Sequence, residues 1–469
     1  MLDNGLAGTP TSLAEFWRTQ YFRETRLNET LAAITLRKIT RRIIPFLFIL
    51  YVGAYLDRVN VGMAKLTMMK DLRFSESIYG LGAGIFFIGY FIFEVPSNLI
   101  LAKMGARVWI ARIMVTWGLI SCAMMFTTTP MSFYVLRFLL GVAEAGFFPG
   151  MVFYLTNWFP AIERARAISR FMMAIPIAGV IGNPLGGLLL GLNGKAQLAG
   201  WQWLFLIEGI PSVILGFVTL FYLTDRPDQA HWLAPEERQY VIDRLEKEHL
   251  RKTERHSISL MEAFVEPRIL LLCLLYFCIV VGGYGLTMNL PSIVSGLGKH
   301  TNFITGLISA VPNICSAIAM ILVGAHSDRS RERRWHVAAS CFMGTVGLVM
   351  TALLHNPIPG LIGLCLAALG QASTLAPFWA LTTSFLGGVA AAGAIAFINS
   401  VGNLGGYAGP MLMGWLKDRT GSFTPPLLIL AGVLALAGVL ALCARHDPDL
   451  EHPIAEVEEE EILADAVTG

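Results

Sequence analysis

Charge is what this sequence has least of. Acidic and basic residues fill 14% of its 469 positions, against about 25% in an ordinary soluble domain. With 55% hydrophobic residues and a mean hydropathy of +0.60, the chain lacks the polar surface that a water-soluble globule of this size requires. Ligand chemistry is equally thin. The seven cysteines show no CxxC spacing and read as small packing residues in apolar segments, not as metal ligands or disulfides. No HExxH, GxSxG or histidine cluster falls within the apolar runs, so no enzyme, metal site or cofactor is expected. The net charge of +2 is spread over connecting segments and not gathered in a stripe, which argues against a nucleic-acid partner. Residues 1–42 hold no uninterrupted apolar stretch with a small-residue cleavage site, so a removable signal peptide is not expected.

What the sequence does have is apolar runs long enough to cross a bilayer. About 20 such residues span roughly 30 Å of hydrocarbon, and twelve runs are legible: 43–64, 78–99, 108–128, 132–156, 167–191, 202–223, 269–293, 303–325, 336–355, 359–386, 390–416 and 425–443. An all-α membrane protein of two six-helix bundles is the expected fold, residues 43–223 and 269–443. A cytoplasmic linker at 224–268, an N-terminal segment at 1–42 and an acidic tail at 444–469, with Glu458 to Glu461 in it, complete the plan. Arg37, Lys38, Arg41 and Arg42, then Lys103 and Arg107, Arg164 and Arg166, and Arg329 to Arg334 all fall in loops of one side. Short Lys/Arg-rich loops stay cytoplasmic, which places both termini in the cytoplasm of a cell (inner) membrane protein. The first opposite loop carries Lys65, Lys70 and Arg73, partly balanced by Asp71 and Glu76.

Ionisable groups well inside the spans are confined to the first half. Asp57-Arg58 lie in the middle of span one, and Arg137 with Glu144 in span four. A charge in hydrocarbon costs roughly 2.5 to 3.5 kcal/mol on insertion scales, so such residues face a wet cavity or one another and mark a substrate or proton path. Arg58 is the best anchor for a carboxylate, because a guanidinium stays protonated and offers a bidentate fork. Asp57 and Glu144 are the candidate proton carriers. Arg137 lies almost two turns from Glu144, too far for a comfortable bridge, and is expected to meet an acid of another span, Asp57 or Glu208. The second half keeps its spans neutral and supplies Tyr284, Asn289, Gln371, Ser373, Thr374, Trp379, Asn399 and Asn403, groups that suit hydroxyls and a remote carboxylate. Spans five and eleven echo one another: both are rich in Gly and Asn and are expected to break at Pro184 and Pro410.

The loop motif Gly324-Ala325-His326-Ser327-Asp328-Arg329 after span eight has a degraded counterpart ending Gly105-Ala106-Arg107 after span two. Together they resemble the repeated cytoplasmic signature of the major facilitator superfamily. Asp57-Arg58-Val59-Asn60, Glu94-Val95-Pro96-Ser97-Asn98, Arg137-Phe138, Glu144-Ala145-Gly146 and Trp203 through Gly209 narrow the resemblance to its anion:cation symporters, permeases for tartrate, phthalate, hexonates and hydroxyphenylacetate. The resemblance implies a monomeric alternating-access carrier importing a small organic anion with protons, Arg58 on substrate, Asp57 and Glu144 on protons. It also implies substrate contacts at positions resembling Tyr55, Tyr90, Trp379 and Asn403. Where the signature after span two usually has an acid, this chain has Ala102. Glu94 is therefore expected to gate by pairing with a loop Arg, and Asp328 with Arg329 to latch the second half. A sodium-coupled or exchange carrier is the alternative, and a channel or transceptor less favoured.

Overall fold

The protein is described here from a computed structural model covering residues 13–253, 266–354, 356–384 and 388–444. All regular structure among them is helical. Eleven segments are long and apolar enough to cross a membrane, from Thr30–Leu72 through Thr424–Cys443. The remaining crossing is made by two helices in series, Gly388–Asn403 and Gly405–Thr420. Each alone reaches only about 24 Å, short of the hydrocarbon thickness, and together they complete span eleven of twelve.

The helix breaks are not where proline predicts them. Pro184 and Pro410 both lie inside continuous helices, as membrane helices tolerate because neighbouring groups satisfy the freed carbonyl. Span five is interrupted instead at Met173, between Ala161–Met172 and Ala174–Leu190, and span eleven at Leu404. Span four divides into Pro130–Glu144 and Phe147–Thr156. Its hinge is Gly146, left-handed at φ 84, where a Cβ would sit 2.4 Å from Ser97 Oγ. Only glycine meets both demands, and the hinge leaves Glu144 as the last residue of its helix.

Two apolar cores follow the two halves. One gathers residues from Ile39 to Leu233 and Val241, with Met288 of span seven reaching into it, the other from Ile269 to Ala441. Between the bundles, contact is tightest at the end away from the Lys/Arg-rich loops. A Cβ on Gly80 would lie 2.5 Å from the Pro410 carbonyl oxygen, one on Gly414 2.2 Å from that of Glu76, and one on Gly187 2.4 Å from that of Asn302. Small residues here let backbones touch across the molecule.

A charged cluster joins the same seam, and it corrects the placing of Lys65 in a loop. The first helix runs on to Leu72, so Lys65 lies within it, 3% exposed. It pairs with Glu76 at 2.6 Å and donates to Asn289 Oδ1 of the other bundle at 2.7 Å. Lys417 pairs with Glu76 at 2.5 Å, and the Asp418 carboxylate accepts from the backbone N–H of Glu76 and Ser77 at 3.0 and 2.7 Å. On the opposite side, the acid missing at Ala102 is supplied from elsewhere. Asp225, just after span six, accepts from the backbone N–H of Arg107 at 2.7 Å.

The linker contains a surface helix, Pro235–Thr253, tied to the first bundle by Glu237 with Lys38 at 2.5 Å. Residues 254–265 of the linker, residues 1–12 and the acidic tail beyond Ala444 lie outside the described residues.

Candidate functional site

Between the bundles lies a cavity of about 160 Å³. Eight of the residues singled out in the sequence converge on it: Arg58, Tyr55 and Tyr90 from the first bundle, Tyr284, Gln371, Trp379, Asn399 and Asn403 from the second. Tyr51 and Asn313 join them. The wall is therefore aromatic, with one cation at one side and neutral amides at the other.

Arg58 is gripped from both bundles. Its Nη2 donates to Glu144 Oε1 in a buried ion pair, and its Nη1 donates to the Tyr284 hydroxyl at 2.9 Å. The guanidinium carbon lies 5.4 Å from the ring centres of Phe86 and Tyr90, within cation–π range. Nε has no partner. A buried cation of this kind is stable only when paired and hydrogen-bonded, and here the pairing acid stands at the hinge of span four. The structure thus brings Arg58 and Glu144 together, although 86 positions separate them.

Asp57 goes elsewhere. Neighbours on a helix point about 100° apart, and Asp57 turns into the first bundle, where it accepts from Trp117 Nε1 at 2.8 Å, Ser121 Oγ at 2.7 Å and Ser212 Oγ at 2.6 Å. It is 1% exposed and does not line the cavity. Among the described residues Arg137 pairs with no acid, contrary to expectation. It donates to the carbonyl oxygens of Gly82 and Ala83 at 3.3 and 3.1 Å, with Phe86 5.0 Å away. The carboxyl of Glu208 stays buried with Oε2 unpartnered.

Four further expectations shift. Asn289 faces the charged cluster and Lys65, not the cavity, and Ser373 is 1% exposed with its hydroxyl on the Leu369 carbonyl at 2.8 Å. Among the described residues Glu94 contacts no loop arginine. It accepts from Asn399 Nδ2 at 2.7 Å and Ser400 Oγ at 2.8 Å, both in span eleven of the opposite bundle. Asp328, in the last turn of the helix Asn302–Ser330, pairs with Arg333 just beyond it at 2.6 Å, and Arg329 is exposed. Tyr51 and Asn313 escape sequence reasoning, and so does the role of Lys65. It lies seven positions after Arg58, almost two turns along the same face, and that spacing was the available signal.

Residues 47–410 match the family model "Major Facilitator Superfamily". The chain is 50% identical over 420 residues to "Putative tartrate transporter" of Agrobacterium vitis, covering 89% of this chain and 93% of that protein. It is 42% identical over 405 residues to "Quinolone resistance transporter" of Acinetobacter baumannii, covering 86% and 93%. Among solved structures, a bacterial homolog of the human lysosomal transporter Spinster, inward-facing and occupied, superposes with a TM-score of 0.71 at 15% identity, over 86% of this chain and 96% of that one. That likeness bears on the fold alone. Twelve helical crossings in two bundles, a cavity between them and these matches together establish that the chain is a membrane transporter belonging to the major facilitator superfamily.

Proposed function

We propose that the protein imports a small organic carboxylate together with protons, by alternating access, across the cell inner membrane with both termini cytoplasmic. The observation that carries this is the Arg58–Glu144 pair beside the cavity, with Tyr284 of the opposite bundle on the same guanidinium. Arg58 is already occupied by a carboxylate of the protein. A cargo carboxylate takes that place only if Glu144 lets go, and a proton on Glu144 removes the charge that holds it. Cargo and proton then enter together. Tyr284 reports the exchange to the second bundle, while Gln371 and Asn403 take the far end of the cargo and the aromatic wall takes its body. Asp57, fixed by three donors, is read as a positioning residue that sets the rotation of span one. The tartrate named for the Agrobacterium relative supports the cargo class.

Purified protein in liposomes tests the reading, with tartrate, gluconate, phthalate and 4-hydroxyphenylacetate as probes. An inward proton gradient should drive uptake of at least one of them, with sodium replaced by choline at clamped pH making no difference. Glu144→Gln should abolish accumulation against a gradient while sparing exchange of internal for external cargo. Uptake indifferent to the proton gradient, or gradient-driven accumulation by Glu144→Gln, would falsify it.

A further inference from the structure

Glu94 joins the two bundles beside the cavity through neutral partners. It is 4% exposed, and both its carboxyl oxygens are spoken for by span eleven, through Asn399 at 2.7 Å and Ser400 at 2.8 Å. Asn399 itself lines the cavity, as does Tyr90, one turn from Glu94 on span two. Among the described residues no Lys, Arg or His lies within ion-pairing distance of it. The charged or titratable groups that face it are Arg58 of span one, already held by Glu144, with Tyr90 of its own helix and Tyr276 of span seven.

A carboxyl enclosed by neutral donors sits differently in water and in this contact. Burying the ionised form without a counter-cation is costly, whereas the neutral form is fully satisfied here. Its Oε1 accepts from Asn399 Nδ2, and a proton on Oε2 is donated to Ser400 Oγ, whose own hydrogen rotates away. When the bundles part on the Lys/Arg-rich side, both span-eleven partners leave and water replaces them. Ionisation then becomes cheap. The proton passes from Oε2 to that water and leaves a hydrated carboxylate.

We propose that Glu94 is a proton-binding residue of the transport cycle, additional to Glu144, which keeps its proton while spans two and eleven are in contact and releases it to the cytoplasm when they separate. The inference rests on the proton-coupled reading above. It makes the proton bound at Glu94 an obligatory companion of each closure of the inner contact.

The experiment measures the proton-to-cargo ratio from reversal potentials in proteoliposomes, using whichever of the four carboxylates is taken up fastest. Glu94→Gln keeps both hydrogen bonds and cannot titrate, so it should carry one proton fewer per cargo than the unaltered protein, with cargo affinity within about threefold. Asn399→Ala with Ser400→Ala keeps the acid but frees it from span eleven, and should lower the ratio in the same direction. An unchanged ratio in both variants overturns the proposal and leaves Glu144 coupling intact. A protein that shows no proton coupling before any substitution overturns the proposed function itself, and this inference with it.

Discussion

The two bundles share one architecture and divide its chemistry. The first holds Asp57, Arg58, Arg137 and Glu144 deep within its helices; the second presents amides, hydroxyls and aromatic rings at the same depth. The buried charges of the first bundle are themselves satisfied in two ways. Asp57 and Arg137 are settled inside the first bundle, by indole, hydroxyl and carbonyl groups, and do not depend on the second. Arg58, Lys65 and Glu94 reach across, to Tyr284, Asn289 and Asn399. The lesson is that charge alone does not mark the moving parts. On the proposed alternating-access cycle, a charge whose partner lies in the other bundle must change partners, and a charge satisfied at home need not.

That contrast can be broken at several points. Arg58→Ala should have the largest effect, lowering uptake by roughly 100-fold, about 2.8 kcal/mol. Arg58→Lys should recover little, since a point charge cannot replace the fork; near-normal transport by either variant would dissolve the distinction. Lys65→Met comes next. Breaking a buried pair outright costs roughly 3–5 kcal/mol, and because Lys417 still holds Glu76, the loss read by thermal unfolding in detergent should fall below that range. A larger loss would mean that the outer cluster acts as one unit.

Gly80→Val probes the same seam without charge. Its Cβ would meet the Pro410 carbonyl oxygen at 2.5 Å, and overpacking of this kind costs about 1–3 kcal/mol. Gly432→Val in the second bundle, where nothing lies within 4 Å, should leave the unfolding temperature nearly unchanged. Equal shifts would show that crowding at the seam is not what matters. The smallest effect is expected from Asn403→Ala on the neutral side of the cavity. Losing one neutral hydrogen bond, worth about 1 kcal/mol, should raise the half-saturating cargo concentration about fivefold and spare the maximal rate. A collapse comparable to Arg58→Ala would put the main anchor in the second bundle.

Much of the fold was legible in the sequence, because hydropathy registers the bilayer directly, and scarcity of charge made Arg58 and Glu144 conspicuous. The eight cavity residues named from the sequence stand out for the same reason, each a polar or aromatic group where lipid-facing side chains would be apolar. What escaped is what depends on rotation and distance. Lys65 looked like loop because hydropathy falls around it, yet its helix continues to Leu72. Glu94 and Asn289 have partners 305 and 224 positions away, and no local spacing encodes such pairings. The break in span eleven escaped because Pro410 drew attention away from Leu404, where the helix actually divides.

The glycine seam has a last implication. Where Gly80, Gly187 and Gly414 bring main chain against main chain, the proposed alternating-access cycle leaves no rotamers to re-sort each time the halves meet. Such a joint recloses on a single geometry, like a machined hinge, so repeated turnover need not accumulate misfits.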